Sequence, residues 1–272
     1  MTEAAIAEPT VEQSIETVLA PQVDLIYEDG IPMDSPAHRA QMEMLIDSTH
    51  EHWRGRTDYY TGGNMFLYFS VEQARNRDYR GPDFFAVLGV DGTRSRKAWV
   101  VWEEGGRYPD IIIELLSEST RNEDLGAKKT LYERTFRTTE YFCYDLDRSE
   151  LRGWRLQYGN YRPLEPDHAG RLSSQVMELR LGEWQGTFHR EHRTWLRFFS
   201  ADGVLVPLAE EAERRRADAE RERADAERER ADAERERADA ERERAHAERR
   251  RAEAAEAELA SMRERLRGLK AE

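Results

Sequence analysis

The chain has 272 residues, enough for one domain with a sizeable core and an appendage. It carries 42 Lys and Arg against 55 Asp and Glu, a formal net charge of −13. That balance excludes capture of nucleic acid through bulk charge, so a nucleic-acid site must be a local basic groove or depend on a bound metal.

Residues 1–22 are rich in Ala, Glu and Thr and read as a flexible N-terminal segment. Glu3 and Glu8 stand where a signal peptide would have a basic start. No segment approaches the ~20 apolar residues of a membrane span, so a cytoplasmic protein without membrane partners is expected. Val23 to Tyr27 reads as a short strand before the turn Glu28-Asp29-Gly30. Ser35-Pro36 then supplies an N-cap and a proline at the first helical position. Met42, Leu45, Ile46, Thr49 and Trp53 follow at helical spacing, which predicts an amphipathic helix to about Arg54. His38, in its first turn, reads as a surface histidine.

Gly62-Gly63 introduces a strand over 64–70. Gly81-Pro82-Asp83 precedes an apolar run, Phe84 to Val90, with the length of a buried strand. Asp91-Gly92 is a turn, and Ala98 to Trp102 is a further short strand. Ile111 to Leu116 is apolar except for Glu114, which predicts a strand covered on both faces. A carboxylate in such a strand must be paired, protonated or bound to a cation. Thr120-x-x-Glu123 fits a capping box, and Asp124, Lys128 and Tyr132 then recur every four residues along one helix face. Glu140 to Asp145 is another strand. It holds the single cysteine, Cys143, whose solitude excludes a disulfide framework or a zinc-thiolate cluster and which reads as a core residue. Strands flanked by helices in this order predict an α/β or α+β sheet domain over 23–208. A hairpin around Tyr158-Gly159-Asn160 and short strands near 176–181 and 196–199 complete it.

From residue 209 the composition changes. Ala-Asp-Ala-Glu-Arg-Glu-Arg repeats four times from Ala217 to Arg244, and no Gly or Pro falls between Pro207 and Gly268. Residues 207–272 hold 21 acidic and 18 basic groups, a balance of −3, which leaves −10 on the rest. This is a long charged helix. Its seam is poor, with Ala at position a and Glu at d, and only Leu259, Met262, Leu266 and Leu269 have coiled-coil spacing. Opposite charges at helical spacing, such as Asp218 with Arg221, each add a few tenths of a kcal/mol.

Two acids stand out by position. Asp83 opens one buried strand and Glu114 lies towards the end of another. If these strands are antiparallel neighbours, both acids reach the same sheet edge. Two close carboxylates repel unless a cation lies between them, and Mg²⁺ typically takes one or two carboxylates and keeps its waters. Lys128, one turn into the following helix, could position or deprotonate a water and stabilise a phosphate. On spacing alone a structural account is at least as strong: Asp83 caps a turn, and Lys128 pairs with Asp124 or Glu114.

The series Gly81-Pro82-Asp83-Phe84-Phe85, Trp99-Val100-Val101-Trp102-Glu103, Pro109-Asp110-Ile111-Ile112-Ile113-Glu114-Leu115-Leu116-Ser117, Asp124-Leu125-Gly126-Ala127-Lys128 with Tyr132, and Glu140-Tyr141-Phe142 resembles the Uma2 family of restriction-endonuclease-like proteins with the PD-(D/E)XK fold. The resemblance implies a restriction-endonuclease-like mixed sheet flanked by helices. It implies Mg²⁺-dependent cleavage of phosphodiester bonds, with Mn²⁺ as a substitute ion. Asp83 and Glu114 would be the metal ligands, and Lys128 would replace the lysine usually two residues after the second acid, where Leu116 stands. The expected partner is nucleic acid, DNA ahead of RNA, and a homo-oligomer through the domain or the C-terminal helix is compatible with it. Ser35-Pro36-Ala37-His38 keeps the family's Ser-Pro-x-His. Ile31 after Gly30, and Glu118 in place of a proline, depart from it. The alternative function is a non-catalytic nucleic-acid- or protein-binding module on a helical rod.

Overall fold

The computed structural model describes residues 25–27, 35–76 and 81–269, with side chains as far as 263. The segment 1–22, Val23 and Asp24 of the first predicted strand, and the Gly30–Ile31 departure lie outside the described residues; Leu25 to Tyr27 carries no strand. The chain divides into two compact units, Met1–Ala209 and Glu210–Glu272.

The first unit is a mixed α/β domain. Helix α1 (Pro36–His52) starts where the sequence places it: Ser35 is extended, and its hydroxyl accepts from the His38 backbone N–H. Strands β1 (Tyr59–Gly62), β3 (Phe84–Leu88), β5 (Ile111–Leu116), β6 (Glu140–Asp145), β7 (Glu150–Gln157) and β8 (Asn160–Pro163) form one six-stranded sheet in the order β1-β3-β5-β6-β7-β8. Only β5 and β6 are parallel. They are joined by the helical run 121–136, α3, which makes them a β-α-β unit with the crossover on one face. The edge strand β1 has no counterpart in the sequence reading. The predicted strand 64–70 shrinks to β2 (Leu67–Tyr68), which pairs in parallel with β4 (Trp99–Val100) in a two-stranded sheet. A short helix α2 (Val71–Arg75) follows β2. The β7–β8 turn uses Tyr158 and Gly159, both at positive φ, which is the backbone a two-residue hairpin demands.

Side chains on β5 alternate between two cores. Ile111, Ile113 and Leu115 pack with Met44 and Leu45 of α1. Ile112 and Leu116 pack with Tyr132 and Phe136 of α3. Glu114 shares the α3 face, because strand side chains have a period of two. The α1 side is closed by a second sheet of β9 (Leu172–Ser174), β10 (Leu179–Phe188) and β11 (Glu191–Phe199), longer strands than the sequence suggests. Gln41 of α1 clips this sheet on, exchanging hydrogen bonds of 2.8 Å with both backbone groups of Leu196. The buried Glu140 ties β9 to β6 through Arg155 Nε at 2.9 Å, the Ser174 hydroxyl and the Gln175 N–H at 2.8 Å.

The second unit is helical: α4 runs Ala209–Leu269, 61 residues, or about 90 Å at ~1.5 Å per residue. Asp218–Arg221, Asp225–Arg228, Asp232–Arg235 and Asp239–Arg242 pair at 3.6–3.9 Å, each three residues apart. Leu259 and Met262 are exposed on it.

Candidate active site

The site grows from one register. Strands β3 and β5 run antiparallel with Phe84 opposite Ile113, so the next position sets Asp83 opposite Glu114. There the side chains take over the ladder. Leu115 N–H donates to Asp83 Oδ2 at 2.7 Å, and Asp83 N–H donates to Glu114 Oε2 at 3.2 Å. Each acid thus accepts a backbone N–H at the point where the two strands diverge. Gly63 crosses beside them, and a Cβ there would lie 2.5 Å from the Asp83 carbonyl oxygen, so only glycine lets this segment pass.

Helix α3 covers the acids from the other side. Lys128 Nζ lies 3.2 Å from Glu114 Oε1 and 2.8 Å from Asp124 Oδ1. The Tyr132 hydroxyl donates to Glu114 Oε1 at 2.8 Å. Asp124, Lys128 and Tyr132 are spaced by four, and in a regular α-helix each such step drifts by about 40° around the axis. Here Asp124–Lys128 and Tyr132–Phe136 are π-helical turns interleaved with the α-helical Arg121–Glu123 and Lys129–Leu131. A π turn holds more residues and drifts the opposite way, so the two forms together keep the three side chains in one line over Glu114.

The expected meeting of Asp83, Glu114 and Lys128 is therefore present in this structure. Asp124 and Tyr132 join them, and the four-residue spacing was the signal for both. Two readings need correction. His38 is buried, not on the surface: its ring lies between Ser35 Oγ (2.8 Å from Nδ1) and the Leu116 carbonyl (3.4 Å from Nε2) at the end of β5. Thr120 does not cap the helix through its side chain; its Oγ1 accepts from Ser117 N–H at 3.3 Å, while its own N–H donates to Ser117 Oγ at 3.2 Å. This reciprocal Ser117–Thr120 pair in the turn displaces the capping box.

Burial shapes the electrostatics. Glu114 is fully buried, and desolvation pushes its carboxyl up to about 8 against the pull of Lys128. Asp83 is pushed up to about 6, again by burial first, with its backbone bond from Leu115 opposing. Burial alone would lower Lys128, but the charges of Glu114 and Asp124 outweigh it and hold the ammonium far above its ordinary value. Lys128 is thus a permanent cation and hydrogen-bond donor, unsuited to taking a proton from water.

Among the described residues no group of three or more His, Cys, Asp and Glu is arranged to hold a metal ion. The donor chemistry nonetheless suits a hard divalent cation. The Asp83 N–H donates to Glu114 Oε2 and burial pushes both carboxyls up, so a cation between them would offset the cost of ionising the pair. Two carboxylates completed by water are a usual Mg²⁺ donor set.

A family model described as "Putative restriction endonuclease", the Uma2 family, matches residues 20–187. The chain belongs to that family of nuclease-like proteins. It is also similar to a solved structure described as a putative nuclease belonging to DUF820 from Anabaena variabilis ATCC 29413, at 14% identity and a TM-score of 0.39, over 56% of this chain and 81% of that one. None of the curated proteins compared matches it. Among the described residues no helix is long and apolar enough to cross a membrane.

Proposed function

We propose that the chain is a Mg²⁺-dependent endonuclease that hydrolyses phosphodiester bonds of nucleic acid, DNA before RNA, with Mn²⁺ as an alternative ion. The observation that carries this is the Asp83–Glu114 pair, two carboxyls held opposite one another and crowned by a cation on α3. Asp83 and Glu114 would hold the divalent ion, which when bound supplies charge neutralisation and an acidified water. Every other part falls to the chain. Tyr132 and Lys128 fix Glu114 Oε1, and Leu115 N–H fixes Asp83 Oδ2, so neither carboxylate needs to reorganise. Asp124 and Glu114 together hold the Lys128 ammonium beside the acids, where it would donate to a phosphate oxygen as negative charge builds there. The proton released by the attacking water goes to solvent or to a carboxylate, since Lys128 is already protonated.

The test is nicking of supercoiled plasmid and cutting of a single-stranded oligonucleotide by wild type, Glu114→Ala and Lys128→Ala, in Mg²⁺, Mn²⁺ or EDTA. Metal-dependent cutting lost in both variants supports the reading. Equal cutting by all three proteins, or none by wild type under any condition, removes it. One observation favours the non-catalytic binding module instead: both Glu114 oxygens already have protein donors. Nucleic-acid binding that is unchanged by EDTA and by Glu114→Ala, without any cutting, is the outcome that reading requires.

A further inference from the structure

Strands β5 and β6 are the parallel pair of the six-stranded sheet, and the space outside the carboxyl ends of such strands is where open α/β sheets form crevices. A cleft of about 440 Å³ opens there, lined by Ser35 and His38 of α1, Ser117 just after β5, Asp147 just after β6, and Glu191 and Arg193 of β11. Its volume falls in the range of small-molecule pockets. The wall is built rather than loose. The His38 ring is fixed between Ser35 and the Leu116 carbonyl. The Arg193 guanidinium donates to Glu191 at 3.0 Å, to the Leu146 carbonyl at 2.9 Å and to Asp147 at 3.2 Å, and it lies over the Trp195 ring. A guanidinium held flat in this way is a platform of the kind on which bases stack.

Charge decides what fits. Arg193 faces two carboxylates, so the cleft is net negative at its rim and repels a phosphate. Its exposed acceptors, Asp147 above all, instead suit N–H donors. An acidic side chain accepting from the cytosine amino group is a standard base contact, whereas thymine carries a carbonyl at that position. Position matters as well. Ser117 is three residues beyond Glu114, about 10 Å along the strand at ~3.3 Å per residue, well beyond the ~3.4 Å that separates stacked neighbours.

We propose that this cleft, at the same end of β5 as the acids but on the α1 face, seats one unstacked, amino-bearing base of the substrate strand, cytosine in preference to thymine, as that strand passes over the sheet edge; the inference rests on the nuclease reading above. The experiment uses the full chain and two fluorescein-labelled 20-mers, oligo-dC and oligo-dT. Binding is followed by anisotropy in EDTA, and cutting of the same strands is followed in Mg²⁺. The variant is Asp147→Ala/Glu191→Ala, at positions exposed enough to leave folding intact. Wild type should bind oligo-dC more tightly than oligo-dT by on the order of tenfold. The variant should bind both strands more tightly, because Arg193 is released, yet with a ratio near one. Simple charge repulsion would raise both affinities and keep the ratio. A wild-type ratio near one, or a ratio that survives in the variant, overturns the cleft proposal. If cutting persists in either case, the nuclease reading stands without it. Wild type that neither binds nor cuts overturns both.

Discussion

Replacing Glu114 with glutamine should make the metal-free protein more stable above pH 8 and less dependent on pH. In wild type the carboxyl titrates at about 8 when folded, against 4.5 when exposed. An acid whose folded pKa is raised binds its proton more tightly when folded, so stability is greatest below pH 4.5 and declines as pH rises towards 8. The slope approaches ~1.4 kcal/mol per pH unit, and the full decline attributable to Glu114 is on the order of 5 kcal/mol. Asp83, raised to about 6, adds a decline of the same sign in its lower window. Lys128 contributes in the same sense but in a higher window: its folded value lies above 10.5, so its contribution is constant below pH 10 and is lost only above. Glutamine removes the Glu114 decline. It also sets an amide N–H₂ against donors, since one oxygen faces Asp83 N–H and the other Tyr132 and Lys128, at a cost of about 1–3 kcal/mol. The variant should therefore be less stable than wild type at pH 5 and more stable at pH 9 by roughly 2–4 kcal/mol. Urea unfolding in EDTA at half-unit steps from pH 5 to 9 measures both curves. A wild-type stability that is flat or rises between pH 5 and 8 would refute the burial account of this carboxyl.

Divalent ions should reverse that slope, because binding demands both ionised carboxylates. Mg²⁺ or Mn²⁺ should stabilise the wild type more at pH 8 than at pH 6, by up to ~3 kcal/mol at a hundredfold excess over Kd and seen as a rise in melting temperature, and Asp83→Ala should show no shift at either pH. Lys128→Met should reduce plasmid nicking by on the order of 10²–10³-fold, as for loss of one preorganised donor; recovery of the rate at high pH would contradict the assignment of Lys128 as a cation. Tyr132→Phe removes a donor that lowers the Glu114 carboxyl, so the pH midpoint of Mg²⁺ binding, read by calorimetry, should move upward, with a stability loss of about 1–3 kcal/mol.

The pairing of Asp83 with Glu114 was legible because two short apolar runs, each with one acid near its end, admit few arrangements, and the antiparallel one brings the acids together. Lys128 was legible from its distance into the next helix. What the sequence concealed is tertiary. A lone histidine in a first helical turn carries no mark of burial, and His38 is buried only because α1 begins against the end of β5. Tyr59–Gly62 becomes an edge strand through pairing with β3, although Thr61 and Gly62 have nothing of a strand pattern. Thr120-x-x-Glu123 matches a capping box in letters, yet Ser117 competes for the same hydroxyl. The π turns leave no compositional trace at all; they follow from the need to stack Asp124, Lys128 and Tyr132 over one carboxylate.

The repeats of α4 have a geometric consequence for inheritance. Seven residues of α-helix make nearly two whole turns, short by ~20°, and advance about 10 Å. Because the Asp–Arg pairs close within each repeat, slippage that gains or loses one unit during replication removes no contact from its neighbours. Leu259 and Met262 would then move along the axis by one step while facing almost the same direction. The rod can thus drift in length between lineages with its far residues kept in near-constant azimuth.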